Sequence, residues 1–300
     1  MKEQVNVSYR IAGLHLAVEF PAGLERKTIL PSFEPFHVAH EGSEKSVCLI
    51  EMSYSGVSME GNAGKLLSDV SAVWGERFRF YEQADGYATT IRSEGTEGQW
   101  TMVSSRDFSR SVIHMAEGEQ SISGVLSWLI MVAFGQACLR HRTILIHASV
   151  ISCGGLGYAF LGKSGTGKST HSRLWLEHIE RSELLNDDNP AVRLEDDGHV
   201  YIYGTPWSGK TACYKNMKVR MQAFVRLKQA EYNEMFRKKN REALVSVLPS
   251  CTAIRWNRCL FDKMTDTVAA IVQKVAVTEL KCLPNRDAAL HCYRELNTTS

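Results

Sequence analysis

The first hundred or so residues alternate apolar and polar positions in short runs. "VNVSYRIAGLHLAVEF", "SVCLIEMSY" and "QWTMVSS" each carry stretches of period two. Such alternation puts one set of side chains on a buried face and the other toward solvent, which predicts strands. "RFRFYEQADGYATTIRS" sets Asp85 and Gly86 between two strand-like runs, a hairpin signal. Gly95 and Gly98 in "SEGTEGQ" mark the next turn. The simplest arrangement is an antiparallel meander with one or two short helices.

The pattern changes after "MAEGEQSISG" (115–124), a polar, glycine-containing stretch. "ISGVLSWLIMVAFGQACL" (122–139) has no charged residue and is barely long enough to span a bilayer. Ser123, Gly124, Ser127, Gly135 and Gln136 dilute it, and strand-like "ILIHASVIS" follows within a few residues. A helix buried against a sheet accounts for both features. Then come strands at 143–152 and 157–162, a helix at 168–180, and strands at "ELLN" and "HVYIYG". Helical material around 228–246, a helix at about 261–274, strand "VAVTELKCL" and helix "NRDAALHCYREL" follow, with Asn285 as N-cap. These patterns predict a β-rich domain over 1–118 and an α/β domain over 119–300.

Composition narrows the partners. Of 300 residues, 44% are hydrophobic and 23% charged, and the formal net charge is +2. Near-neutrality gives no reason to expect nucleic acid or an acidic membrane as partner. None of the eight cysteines forms a Cys-x-x-Cys pair or stands at zinc-ligand spacing from a histidine pair. They read as reduced thiols of a cytoplasmic protein. "FRKKNR" (236–241) reads as a solvated helix face.

The chemistry centres on "GYAFLGKSGTGKSTHSRLW" (157–175). Gly162, Gly167, Lys168 and Ser169 satisfy the Walker A pattern G-x-x-x-x-G-K-[ST], with Lys163, Ser164, Gly165 and Thr166 between them and Thr170 after. Glycines let successive backbone N–H groups turn toward an anion, and the following helix points its positive end there. Lys168 supplies a charge for β- and γ-phosphates, and the Ser169 hydroxyl can ligate Mg²⁺. Average residue frequencies would produce the pattern in about one chain of this length in a hundred. A strand leading in and a helix leading out make chance a poor explanation.

Phosphoryl transfer also needs carboxylates for the metal and the nucleophile. "ELLNDDNPAV" places Asp187 and Asp188 after a short apolar run. Adjacent acids on an extended chain point in different directions, so one can face metal and the other a hydroxyl. A solvated turn fits the spacing equally well, since Asp-Asp-Asn-Pro is good turn chemistry. "GTPWSGK" (204–210) forms a shaped loop after a strand, and would expose Trp207 and Lys210 to an acceptor. The alternative is a structural turn with Trp207 in the core.

"LIHASVIS…GYAFLGKSGTGKST…LLNDDNPAV" resembles the catalytic domain of the HPr kinase/phosphorylase family and its serine-kinase relatives. That core is shared with phosphoenolpyruvate carboxykinase. The shared elements are a histidine before the loop, the P-loop itself and an aspartate pair closing the next strand. The resemblance covers roughly 144–210 well and the remaining C-terminal part loosely. It implies an α/β P-loop core with ATP and Mg²⁺ bound, behind the β-rich domain that the alternation predicts, and says little about residues 1–115. His147 would lie near the transferred phosphate, Asp187 would be the base toward the hydroxyl and Asp188 the acid on the metal side. "VYIYGTPWSGKTACYKN" lacks the acidic segment of HPr kinases, which favours the broader related group, whose acceptors vary.

The leading expectation is an ATP-dependent kinase acting on a hydroxyl of a protein, peptide or small molecule. A carboxykinase-type lyase and a non-catalytic nucleotide sensor are the alternatives. Acceptor identity, ATP against GTP, and homo-oligomer formation stay open.

Overall fold

The computed structural model describes residues 4–39, 45–54, 64–94, 97–116, 122–209 and 211–298. Contacts divide the chain into two compact units, Met1–Cys138 with Ile254–Leu260 and Leu139–Ala253 with Phe261–Ser300. Both contain a large sheet, and the protein is mixed α/β.

In the first unit lie β1 (Gln4–Ile11), β2 (Leu14–Pro21), helix α1 (Arg26–Ile29), β3 (His37–Val38), β4 (Cys48–Ser53) and β5 (Lys65–Ser68). β6 (Phe78–Gln83), β7 (Gly86–Arg92), β8 (Gln99–Ser105), β9 (Arg110–His114) and helix α2 (Ile122–Ala137) follow. The sheet order is β3-β1-β2-β4-β9-β8-β7-β6-β5. The expected antiparallel meander holds from β5 to β9, but β4 runs parallel to both β2 and β9. Alternation reports which face a residue takes, not which strand it pairs with. Long connections on either side of β4 permit the parallel joint.

Gln83 pairs with Gly86, so the β6–β7 turn is Ala84-Asp85 and Gly86 opens β7. There a Cβ would stand 1.9 Å from the Ser104 carbonyl oxygen. Residues 95 and 96 of the next expected turn, and 117–121 of the expected boundary, lie outside the described residues. Among the described residues one helix, Ile122–His141, is long and apolar enough to cross a membrane, with mean hydropathy 1.8. Most of it is buried inside the protein, as the chain pattern anticipates.

The second unit holds β10 (Thr143–Leu145), β11 (Ala148–Cys153), β12 (Leu156–Leu161), helix α3 (Lys168–His178), β13 (Ser182–Asp188), β14 (Ala191–Leu194) and β15 (Val200–Tyr203). β16 (Lys218–Gln229), β17 (Glu234–Lys238), helix α4 (Asn240–Val247), helix α5 (Arg258–Val272), β18 (Ala276–Cys282) and helix α6 (Arg286–Asn297) complete the chain. The order is β10-β14-β15-β16-β12-β11-β13, with β18 against β16 and β17 at its outer side. One face is packed by α3 and α6, around Phe160, Trp175, Val225, Leu280 and Ala289. α4 packs on β16, β17 and β18.

Two expectations change here. The stretch 228–246 is not one helical region: β16 runs to Gln229, β17 follows, and α4 begins only at Asn240. "KVRMQAFVRLKQ" buries alternate positions at its start, and tertiary pairing overrides helix propensity. "FRKKNR" is therefore the end of β17 and the start of α4, not a helix face. The expected strand 143–152 breaks into β10 and β11 around His147. At the C-terminus Asn285 caps α6 as expected, its side chain accepting from the Ala288 N–H.

Candidate functional site

Strand direction assembles the site. β11 runs antiparallel to both β12 and β13, so those two strands share a direction and end at one edge. Ala148, the first residue of β11, lies opposite Leu161 on one side and Asp188 on the other. His147 thus stands between the exit of β12 and the acids. β16 runs parallel to β12 and places Arg226 beside Leu161.

The loop after β12 joins it to α3 in six residues, 162–167. Gly165 and Gly167 have φ of 81° and 100°, the left-handed region where a side chain is strained. At Gly162 a Cβ would stand 2.4 Å from Thr166 Oγ1. The Thr166 hydroxyl and N–H both donate to the Lys163 carbonyl, which closes the turn. Lys163, Ser164 and Gly165 are exposed, Thr166 and Thr170 half-buried. Lys168 Nζ donates to the carbonyls of Gly162 at 3.0 Å and Lys163 at 3.3 Å. Burial pulls the Lys168 ammonium below its ordinary pKa; Asp188 and Asp187 oppose, and Arg226 adds to the fall.

The two acids face different partners. Asp187 lies opposite Ser149, and the Ser149 hydroxyl meets Ser172 of α3 at 2.6 Å. Residues opposite one another share a face, so Asp187 lies on the α3 side. There the Ser169 hydroxyl donates to its Oδ1 at 3.1 Å, and Thr211 Oγ1 donates to its Oδ2 at 3.3 Å. Asp188 turns the other way, with Oδ1 3.6 Å from His147 Nε2. The resemblance pairs Ser169 with Asp188 at the metal; the structure sets Ser169 against Asp187 instead.

Burial shifts the His147–Asp188 pair in opposite directions. It lowers the imidazole, with Lys168 adding and the two acids opposing. It raises the Asp188 carboxyl, with His147 and Lys168 opposing and Asp187 adding. The ordinary gap between a histidine and an aspartate narrows, which eases proton exchange between them.

The 204–209 loop reaches the acids from a strand two places away from β12. β15 is separated from β12 by β16 and runs antiparallel to it. The loop nevertheless lies along the end of β13, where Asn189 N donates to Trp207 O and Gly209 N donates to Asp187 O at 2.9 Å. Asn186, fully buried, donates to Thr205 Oγ1 at 3.2 Å and accepts from Asp188 N at 3.1 Å. Trp207 is 5% exposed, so the expected exposed indole belongs to the core. Lys210 lies outside the described residues.

Two neighbours were not anticipated, Thr211 and Arg226. Arg226 donates to Ser246 O at 2.6 Å and Ser250 Oγ at 2.9 Å, while Ser250 O accepts from His147 N at 2.7 Å. A lone arginine inside apolar "AFVRL" was the available signal.

No known protein-family profile matches the chain. No curated protein matches it either. A solved structure of the Hpr(Ser) kinase/phosphatase from Coxiella burnetii is similar over 51% of this chain and 88% of that chain, at 12% identity and a TM-score of 0.31. A TM-score that low establishes no shared fold.

Proposed function

We propose that the second unit is an ATP-dependent, Mg²⁺-assisted phosphotransferase acting on a hydroxyl acceptor. One juxtaposition carries the reading: a glycine loop ending in Lys168 and Ser169 lies at the same sheet edge as Asp187, Asp188 and His147. The 162–170 segment would serve as a P-loop, its amides and the Lys168 ammonium facing the β- and γ-phosphates.

The residues fit Mg²⁺. It takes hard oxygen donors, keeps several waters and needs few protein ligands. Ser169 and Asp187, already 3.1 Å apart, are such a pair. Among the described residues no group of three or more His, Cys, Asp or Glu forms a closed cage. Bound there, Mg²⁺ would neutralise charge on the β- and γ-phosphates.

This assignment exchanges the roles that the resemblance implies. Asp187 holds the metal side, oriented by Thr211. Asp188 takes the proton of the acceptor hydroxyl, with His147 beside it to share that proton. Lys168 and the loop amides stabilise charge as it builds on the transferred group. The acceptor is a serine of a protein or peptide, or a small molecule. Eight free cysteines fit a reducing compartment, and on that ground the protein is assigned to the cytoplasm.

The test is γ-labelled ATP with a cell lysate, separated into protein and small-molecule fractions. Label should move to one fraction with the wild-type protein and fall at least about a thousandfold with Lys168→Ala. Equal transfer by a folded Lys168→Ala protein defeats the assignment.

A further inference from the structure

"RKKNR" (237–241), unused by the proposed reaction, lines a concavity elsewhere in the same unit. β17, α4, α5 and β18 surround a cavity of about 580 Å³. Arg237, Lys238, Lys239, Arg241 and Lys274 contribute to its wall, and no acidic residue does. Glu279 lies 4.0 Å from Lys238 but closer to Lys228 at 2.9 Å, and Glu242, in the first turn of α4, does not line the cavity. Among the described residues Arg237, Lys239, Arg241 and Lys274 form no ion pair.

Protein surfaces ordinarily intersperse both signs of charge, because like charges in one concavity repel. Low-dielectric walls strengthen the field inside it. Leu244, Val272 and Val275 form an apolar part of the lining. The volume falls in the usual small-ligand range of roughly 300–1,000 Å³.

We propose that this groove binds a small molecule carrying two or more phosphate groups, its carbon skeleton against the apolar lining. The first turn of α4 adds its free backbone N–H groups to the five cations. α4 then runs into the turn Leu248–Ser250, whose Ser250 carbonyl holds the His147 backbone. One helix therefore connects the groove to the acid–histidine pair.

The site is independent of the kinase reading and is tested with the glycine loop disabled. Tripolyphosphate is titrated calorimetrically into Lys168→Ala protein at 0.05 and 0.2 M salt. Saturable binding should appear and weaken steeply with salt. Adding Lys239→Gln and Arg241→Gln should weaken it at least tenfold, whereas Lys239→Arg with Arg241→Lys should retain it. Should the double glutamine variant melt early, Lys274→Gln alone should still weaken binding severalfold. No binding by the parent, or equal binding by folded glutamine variants, overturns the proposal. Vesicles containing phosphatidylinositol bisphosphate, whose headgroup carries several phosphates, distinguish the sources. Co-sedimentation that tripolyphosphate competes away identifies a lipid headgroup, and tripolyphosphate binding without co-sedimentation identifies a soluble ligand.

Discussion

The two sheets differ in where they put their polar side chains. In the first, Ser104 and Ser111, both buried, lie opposite each other on β8 and β9, with hydroxyls 2.8 Å apart. In the second, Lys168, Ser169, Asp187, Asp188 and His147 gather at one edge, half-buried or exposed. Both sheets contain neighbouring parallel strands whose ends align. What differs is the connection that follows. β12 enters α3 after six residues, so the loop's amides and the helix start are held together. β2 reaches α1 after four residues, β9 reaches α2 after seven and β4 reaches β5 after eleven, and none of these connections contains a lysine. Aligned strand ends make a candidate site only where the connection itself carries the chemistry.

Exchanging groups at the edge should alter rate far more than stability. Asp188→Asn keeps size but loses basicity, so transfer should fall by roughly two orders of magnitude or more at unchanged Mg²⁺ requirement. Asp187→Asn should instead raise the Mg²⁺ needed for half-maximal rate. A Mg²⁺ titration of both variants decides it. The reverse pattern would restore the roles that the resemblance implies.

Within the first sheet the order of effects should invert. Ser111→Ala leaves the Ser104 hydroxyl without its partner in a buried setting, at a cost of about 1–3 kcal/mol. The melting temperature should drop by a few degrees while transfer per folded molecule stays constant. A changed rate with unchanged melting would break the contrast between the sheets.

The smallest effect concerns pH. His171, on α3 behind the loop, is 3% exposed, and burial pulls its imidazole down to about 4. The unfolded chain takes up a proton near pH 6.5, and the folded one resists. This contribution to stability is full above about pH 6.5 and is lost as pH falls toward 4. His171→Gln offers its amide oxygen to Trp175 Nε1, which now donates to His171 Nε2 at 3.2 Å. Melting curves between pH 7 and 4 should be flatter for the variant. Parallel curves would remove His171 from the acid response.

Much of the second unit was legible because its signals are local. A glycine needed at positive φ, a strand exit and a helix start leave marks within a few residues, as at Gly165, Gly167 and Lys168. The end of β13 at Asp188 and the cap at Asn285 are local in the same way. Arg226 and Thr211 were not legible, because each meets the site through partners far along the chain. Trp207 was ambiguous, since a loop tryptophan reads alike whether it faces solvent or core. The β16–β17 region was misread because charged residues interleaved with apolar ones suit either period until pairing selects one.

The sequence by itself determined the phosphate-cradle pattern, the acid pair and the fact that adjacent acids on a strand must diverge. Those follow from backbone stereochemistry, which acts over a few residues. Only the tertiary structure decided which acid meets Ser169. That choice rests on β13 carrying one extra residue between the partners of Ile151 and Val150, a bulge that resets which side chains face α3. A one-residue offset in pairing between strands about thirty positions apart leaves no trace in either strand alone.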